Sequence, residues 1–387
     1  MSAELPVLFI LSNGRDMGGA ERSIAALLPH LGKAARTYIL PTNHRHTEEL
    51  LALSARNVKV LPGILGLSPA AQFLSLIRLV RLCREHRPQT ILANGHRGCF
   101  LLFWLRFIPL PRRPRCVVYV RDFAYSTLRF TLWAMRDFLF LAPTQAIFDF
   151  SPYQSWGLSR RQHRVIPNAV AETNPPSEPQ PGQLRFIGCC ARLVPWKGID
   201  FLIRAFALVV NASPEARLRI YGERIDPAYF ASLQSMTDEL GLARHIEFCD
   251  FATDMRAVFQ QGLFFVIPSL SMLPGPESFC RIIIEAWSYQ RPVIAFATGG
   301  PLHLIEDGVD GFLVEERHIG QLAGRISGLL GDPERARRMG RAGWEKVRAQ
   351  FSPENISREL LTCLLPASAA SATPASATQA TASASIP

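Results

Sequence analysis

The chain has 387 residues, of which 48% are hydrophobic, so it is long enough for two domains that each bury a core. No apolar stretch reaches the roughly 18 uninterrupted residues of a membrane span. The start of the chain lacks the basic segment and cleavage site of a signal peptide, which predicts a cytoplasmic protein. The eight cysteines form no CxxC pair, which argues against a zinc site or a disulfide framework.

Positive charge is concentrated in the first part of the chain. Residues 1–170 hold 22 Lys and Arg against 9 Asp and Glu, within a formal net charge of +10 for the whole chain. Such a basic half indicates an anionic partner, either nucleic acid, a phospholipid surface or a phosphorylated glycolipid. Because the sequence has no RNP motif, zinc finger or KH loop, a membrane surface is favoured over nucleic acid. The alternative is an arginine-rich composition whose solvated side chains have no partner.

Short apolar strands alternate with helical stretches in this basic part, which is typical of a parallel sheet covered on both faces. Strands are predicted at 7–11, 36–40, 58–61, 90–93 and 116–120, and helices at 19–31 and 70–86. A segment rich in Pro and polar residues follows at 171–183, and it predicts a linker.

A second alternating series follows the linker. Its strands are predicted at 184–191, 218–221, 246–248, 264–268, 292–295 and 312–314, and its helices at 198–211, 229–240, 278–289, 319–330 and 333–350. We therefore expect an α/β protein of two doubly wound, Rossmann-like domains, 1–170 and 184–350, that face each other across a cleft. A helix is expected at 351–365. The last residues, 366–387, are almost only Ala, Ser, Thr and Pro, which predicts a disordered tail.

Two loops that follow predicted strands have the chemistry of a phosphate site. Gly18 and Gly19 come after the first strand, where glycines let a backbone approach a ligand and the next helix directs free amides at it. Arg192 and Lys197 follow the first strand of the second series, where two cations can clamp a diphosphate and stabilise a leaving group. The alternatives are a plain turn and a surface loop with solvated cations.

Two carboxylates and a further pair of glycines complete the candidate site. Glu277 is predicted at the start of a helix and Glu285 two turns inside it, about 12 Å away, which suits two acceptors that hold different parts of one elongated ligand. Glu285 stands in an apolar run, so its carboxylate needs a partner. Gly299 follows another strand and again permits close approach of the backbone.

These motifs follow one another in a set order: Gly-Gly-Ala-Glu (18–21), Ile-Pro-Asn (166–168), Ala-Arg-Leu-Val-Pro-Trp-Lys-Gly (191–198), Glu-x7-Glu (277–285), Gly-Gly (299–300) and Asp-Gly-Val-Asp-Gly-Phe (307–312). In this order they resemble the retaining GT-B glycosyltransferases of family 4, the group 1 glycosyl transferases that include bacterial capsule and lipopolysaccharide sugar transferases. The resemblance covers about residues 5–360.

The resemblance implies roles for these residues. Gly18 and Gly19 would lie near the donor phosphates, and Arg192 and Lys197 would neutralise the diphosphate. Glu277 would bind hydroxyls of the donor sugar. The remaining implied donor contacts are Glu285 at the ribose, Ser278, Phe279, Gly299, and Gly222 in a loop at 221–224 that contacts the base together with 250–253.

The resemblance also implies partners and an overall arrangement. The partners would be a nucleoside-diphosphate sugar and a saccharide or lipid-linked acceptor on the basic domain, without a cofactor or a metal ion. The helix at 351–365 would return to the N-terminal domain, and the protein would lie in the cytoplasm or peripherally on the inner face of the membrane.

The chain departs from the family pattern at two positions. Arg121-Asp122 stands where many members have His-Asp, so Arg121 or Asp122 is expected to take a catalytic role. Cys280 stands where members often have glycine. Two other functions remain open: a sugar-nucleotide epimerase, which would consume the donor without an acceptor, and a non-catalytic nucleotide-sugar-binding or membrane scaffold protein.

Overall fold

The structure is a computed structural model. It describes residues 5–12, 18–41, 48, 50, 55–61, 69–95, 98–123, 135, 137–149, 163–171, 186–250, 255–272 and 276–365. Three predicted features therefore lie wholly or largely outside the described residues, namely the linker beyond residue 171, the tail at 366–387 and the base-contacting loop beyond residue 250.

Seven parallel strands form the first sheet. They are β1 Val7–Ser12, β2 Arg36–Pro41, β3 Val58–Val60, β4 Thr90–Asn94, β5 Arg115–Tyr119, β6 Leu139–Ala142 and β7 His163–Val165. Their order across the sheet is β3-β2-β1-β4-β5-β6-β7. β2 and β3 are thus added on one side of β1 and β4 to β7 on the other, so the strand order reverses beside β1. Five of these strands were predicted within a residue or two, whereas β6 and β7 were not predicted.

Helices cover both faces of this sheet. One face carries α1 Gly19–Ala34, whose Ile24, Leu27 and Leu28 pack on β1 residues. The other face carries α2 Pro69–His86 and α3 Cys99–Leu105. A short helix, α4 Gln145–Asp149, follows β6.

Six parallel strands form the second sheet. They are β8 Phe186–Cys190, β9 Leu218–Tyr221, β10 Ile246–Cys249, β11 Gly262–Ile267, β12 Val293–Phe296 and β13 Gly311–Val314, in the order β10-β9-β8-β11-β12-β13. Helices again cover both faces, and central strands such as β11 are buried almost throughout, as parallel strands between two helical layers must be. These helices are α5 Ile199–Ala212, α6 Pro227–Glu239, α7 Met255–Gln261, α8 Arg281–Ser288, α9 Pro301–Leu304, α10 Ile319–Gly331 and α11 Pro333–Gln350.

The last helix, α12 Pro353–Leu364, packs on the first sheet rather than on the second. Ile356, Leu360 and Leu364 lie in one buried cluster with residues of α1 and β1. The hydroxyl of Thr90 donates a hydrogen bond of 2.5 Å to the carbonyl oxygen of Leu364. The chain therefore crosses from the second sheet back to the first before the described residues end.

The helix predicted at 278–289 begins later than expected. α8 starts at Arg281, and Cys280, the residue before it, has φ +67° and ψ +79°. This left-handed conformation cannot continue a right-handed helix, so Glu277 lies in a loop ahead of α8 and not at its first turn. The spacing of 12 Å along one helix therefore does not apply to Glu277 and Glu285.

Candidate active site

The predicted site residues all follow the carboxyl ends of strands, where ligands of doubly wound sheets bind. Gly18 and Gly19 follow β1, Arg121 follows β5, and Arg192 and Lys197 follow β8. The segment from Ser269 to Glu285 follows β11. The carboxyl ends of the two sheets face each other. This follows from contacts, described below, between residues of the first sheet's loops and residues of the second sheet's loops.

Lys197 and Glu277 form the centre of the site. The ammonium of Lys197 donates a hydrogen bond to Oε1 of Glu277, and the two side chains are only 13% and 14% exposed. Ser269 donates to the same oxygen at 3.2 Å. Lys197 also lies 4.1 Å from the centroid of the Trp196 ring. A loop after β8 and a loop after β11 thus bring together two charges that are 80 residues apart in the sequence.

A small cavity lies next to this ion pair. Its volume is about 100 Å³, and its polar lining is contributed by Lys197, Ser269, Glu277 and Arg281. Cys190 and Cys280 line it as well, and burial raises the pKa of the Cys280 thiol well above its ordinary value, so the thiol is neutral and acts as an apolar wall. Arg192 lies on the same loop as Lys197 but is exposed, with its guanidinium 5.7 Å from the Trp196 ring.

Glu285 has the partner that its apolar surroundings require. Nε and Nη2 of Arg281 donate to Oε1 of Glu285 at 2.9 and 2.8 Å. The third arm of Arg281, Nη1, donates to the carbonyl oxygen of Ala169 at 3.0 Å. A Cβ added at Gly19 would lie 2.9 Å from Cδ of Arg281, so this side chain also meets the start of α1. Arg281 therefore connects the first glycine motif to Glu285.

Arg281 was not among the site residues predicted from the sequence. Its position four residues before Glu285 is the spacing at which charged side chains meet on a helix, and this signal could have identified it.

Ser278 joins the two halves of the molecule. Its hydroxyl donates to the carbonyl oxygen of Arg121 at 2.6 Å, and its own carbonyl oxygen accepts from the hydroxyl of Thr144 at 2.6 Å. The neighbouring Phe279 is 2% exposed and stands edge-on to Phe351, so it packs in the core of the second unit. The loop that carries Glu277 is thereby held against the ends of β5 and β6.

Arg121 is buried rather than displayed on the surface. Its Nε donates to Oδ1 of Asn94 at 2.7 Å, its Nη1 donates to Oδ1 of Asn168 at 2.5 Å, and its guanidinium lies 3.3 Å from the Tyr119 ring. Burial lowers the pKa of this guanidinium. Nη2 has no hydrogen-bond partner among the described residues. Asp122, in contrast, is exposed.

Two of the glycines in the site permit close packing of the loops. A Cβ added at Gly222 would lie 1.8 Å from the carbonyl oxygen of Ala191, so only glycine lets the loops after β8 and β9 approach this closely. Gly299 has φ +52°, and the neighbouring Gly300 donates its amide to the carbonyl oxygen of Glu277 at 2.6 Å. Gly18 is exposed at the start of α1, and residues 13–17 of that motif lie outside the described residues.

Part of this chain is similar to a known family. Residues 170–346 match the model of the family described as Glycosyl transferases group 1. An exopolysaccharide phosphotransferase of Streptomyces coelicolor is 31% identical over 193 residues, which is 50% of this chain and 20% of that protein. A GDP-mannose-dependent alpha-(1-6)-phosphatidylinositol monomannoside mannosyltransferase of Mycolicibacterium smegmatis is 32% identical over 166 residues, or 42% of this chain and 43% of that protein. The chain therefore spans less than half the length of these curated relatives.

The fold of the whole chain has solved counterparts. The crystal structure of Anabaena HepE in complex with UDP superposes with a TM-score of 0.77, at 22% identity, over 92% of this chain and 98% of that one. This likeness confirms the expected fold of two doubly wound α/β domains in the GT-B arrangement.

Proposed function

We propose that this chain, whose residues 170–346 match the model of the group 1 glycosyl transferases, moves a sugar from a UDP- or GDP-sugar to a saccharide or lipid-linked acceptor with retention of configuration. The observation that carries the proposal is the Lys197–Glu277 ion pair beside the cavity, with Arg281 and Glu285 next to it. The UDP complex of Anabaena HepE and the GDP-mannose dependence of the mycobacterial relative support the two nucleotide classes.

The arrangement suits the departure of a diphosphate. When the bond between the anomeric carbon and the diphosphate oxygen breaks and a bond to an acceptor hydroxyl forms, negative charge develops on the leaving group. Lys197 is held in place by Glu277 and Trp196, so its charge is positioned before the reaction, which is the condition for strong electrostatic stabilisation. Arg192 on the same loop adds a second cation from the exposed side.

Glu277 and Glu285 have separate tasks in this proposal. Glu277 accepts from Lys197 and Ser269 at the cavity, where it would orient the sugar hydroxyls. Glu285, held by Arg281, would bind the ribose. The buried Nη2 of Arg121 is an N–H group that makes no hydrogen bond to a described residue. An oxygen of the nucleotide sugar or of the acceptor substrate would accept this hydrogen bond. The reaction is proposed to need no metal ion and no cofactor.

The basic N-terminal half would receive the acceptor. Its surplus of Lys and Arg suits a phosphorylated or lipid-linked saccharide, and it supports our proposal of a role in cell-envelope polysaccharide or lipopolysaccharide synthesis on the inner face of a membrane.

Thermal unfolding with nucleotides tests the proposal. UDP, GDP, ADP and CDP are added to the native chain, to Lys197→Ala and to Lys33→Ala, whose exposed lysine lies on α1 away from the cavity. A ligand at 100 times its dissociation constant stabilises by about 2.7 kcal/mol, which a thermal scan detects. We expect UDP or GDP to stabilise the native chain and Lys33→Ala alike, and Lys197→Ala to respond weakly.

Turnover of the matching donor completes the test. Lys197→Ala should lose most of the transfer activity while it keeps its native circular dichroism spectrum, and the anomeric configuration of the product reports retention. No stabilisation by any nucleotide, or full turnover in Lys197→Ala, would remove the basis for the proposal. An isomerised sugar nucleotide formed without an acceptor would indicate an epimerase.

A further inference from the structure

Exposed hydrophobic side chains are concentrated on one face of the N-terminal half. Twelve large hydrophobic side chains are exposed in the described part of the chain, and half of them lie on or directly after α2 and α3. We call these six residues, exposed by 38–65%, the aromatic face: Phe73, Leu74, Ile77, Phe100, Trp104 and Phe107. The other six lie at separate positions along the second half of the chain, and exposed apolar residues of this kind are normal on a protein surface.

Helical spacing brings the six side chains onto one surface. Phe73 and Ile77 are four residues apart on α2. Phe100 and Trp104 on α3 and Phe107 just after its end follow the i, i+4, i+7 pattern. The two helices pack against each other. The rings of Trp104 and Phe107 have centroids 6.4 Å apart. The aromatic face is therefore continuous along α3 and adjoins α2.

Both helices are apolar on two sides. The inner side of α2 buries Leu79 and Cys83 in the core, and the inner side of α3 buries Leu101 and Leu102. The sequence of α3, CFLLFWL, contains no charged residue. A helix that is hydrophobic all round normally lies within a core or against lipid. Within the described residues no helix is long and apolar enough to span a bilayer.

Arginines surround the aromatic face. Residues 69–115 contain nine arginines and a single acidic residue, Glu85. On α2 the exposed Phe73 and Ile77 are followed on the same side by the exposed Arg81 and Arg84. Guanidinium groups pair with phosphate oxygens, and aromatic side chains favour the depth of the lipid headgroups. The combination of exposed aromatics with nearly unopposed arginines fits an anionic lipid surface better than the mixed charges of a protein partner.

A larger cavity opens beside the end of α3. Its volume is about 420 Å³, and its lining combines Arg113 and Arg115 with the apolar side chains of Leu105, Ile108 and Leu110. Arg106, at the same cavity, is paired with Asp137 at 3.3 Å and lies over the Phe107 ring. Cationic and apolar groups in one cavity match a phospholipid headgroup with the first part of its acyl chain.

The topology orients this surface relative to the cleft. Because α2 leads back to the start of β4, it runs antiparallel to the strands, and its first turns lie at their carboxyl ends. α3 leaves the carboxyl end of β4, so Phe100 lies at that end as well. The aromatic face thus begins beside the cleft.

We propose that the aromatic face and its arginines dock the protein on an anionic phospholipid bilayer. The inference deepens the proposed function, because a bilayer beside the cleft would bring a lipid-linked acceptor to the nucleotide sugar. The docking itself is a binding property that can be measured without any sugar transfer.

Vesicle sedimentation of the full chain tests the docking. Vesicles of phosphatidylcholine alone are compared with vesicles that also contain phosphatidylglycerol. The apolar variant carries Phe73→Ser, Ile77→Ser and Phe107→Ser, and the charge variant carries Arg81→Gln, Arg84→Gln and Arg113→Gln. Two control variants change exposed side chains of the second half of the chain. The apolar control carries Leu208→Ser and Leu302→Ser, and the charge control carries Arg204→Gln, Arg244→Gln and Arg338→Gln.

We expect the native chain and both controls to bind anionic vesicles and to bind phosphatidylcholine weakly. The charge variant should bind about a hundredfold more weakly, since each arginine near an anionic surface contributes roughly a factor of five. The apolar variant should lose at least about tenfold. A blue shift of tryptophan fluorescence on binding should disappear in Trp104→Phe while sedimentation persists.

Three results would overturn the docking proposal. The first is equal binding of the native chain to anionic and neutral vesicles. The second is unchanged vesicle binding by both the apolar and the charge variant. Self-association of the native chain that the apolar variant abolishes, without vesicle binding, would assign the face to a second copy and would also refute the proposal. Nucleotide stabilisation is measured on the same variants. If it is absent while vesicle binding follows the prediction, the proposed function fails and the docking stands.

Discussion

Cys280 offers a test of the backbone at the site. It precedes α8 with φ +67° and is only 8% exposed. We compare Cys280→Gly with Cys280→Ala. Both substitutions remove the same buried sulfur, so the difference between them reports the backbone alone.

The expected difference follows from the dihedral angles. A residue with a Cβ pays roughly 1–2 kcal/mol in the left-handed region, and glycine does not. Glycine loses about 0.5–1 kcal/mol relative to alanine through its greater freedom in the unfolded chain. Cys280→Gly should therefore be more stable than Cys280→Ala by about 0.5–1 kcal/mol. This order is the reverse of the usual one.

Cys83 provides a matched control. It is 1% exposed inside α2, where the backbone is helical, so Cys83→Gly should be less stable than Cys83→Ala by about 1 kcal/mol. The stability difference within each pair of variants is measured from the midpoints of urea unfolding, provided that the dependence of the free energy on urea concentration is the same for both variants. If alanine is as stable as glycine at 280 while the Cys83 pair behaves as expected, the left-handed conformation before α8 is refuted.

Three further predictions concern the contacts around the site. Arg281→Met should lower the free energy of unfolding by about 2 kcal/mol, because it leaves Glu285 unpaired. Adding Glu285→Gln should restore most of this loss in urea unfolding. If the losses of the two single variants simply add in the double variant, the pairing is contradicted. Lys346→Met should cost about 3 kcal/mol at neutral pH, since Asp310 is buried and loses its ion pair. Burial raises the pKa of Asp310, so ionising this carboxyl lowers the stability of the folded chain as the pH rises above the ordinary value of 3.8. The stability that Lys346→Met loses should therefore become smaller as the pH falls towards 3.8. A loss that does not change with pH would show that it does not come from the Asp310 carboxylate. Thr144→Val should cost about 1 kcal/mol in unfolding by removing the hydroxyl that donates to Ser278, and it should leave nucleotide stabilisation unchanged.

The alternating pattern determined most of the architecture in advance. Buried parallel strands are short apolar runs between turn residues, and these runs can be read from the sequence because both faces of the strand are apolar. β6 escaped prediction because Leu139–Ala142 is a short run within a longer apolar region, where periodicity alone does not distinguish a buried strand from a buried helix. The start of α8 was placed three residues early, since the dihedral angles of Cys280 leave no mark in the sequence.

The sequence also predicted which loops form the candidate site. Glycines, cations and carboxylates directly after strands indicate a ligand, since parallel sheets bind ligands at that edge. It predicted that Glu285 needs a partner, and the structure supplies Arg281.

Pairings between distant residues were decided only by the tertiary structure. Lys197 meets Glu277 because β8 and β11 are neighbours in the sheet, and strand order is not readable from local pattern. The burial of Arg121 depends on Asn94, at the end of β4, and on Asn168, in the segment after β7. The aromatic face likewise required the structure, because hydrophobic periodicity alone does not distinguish a helix side turned to the core from one turned outward.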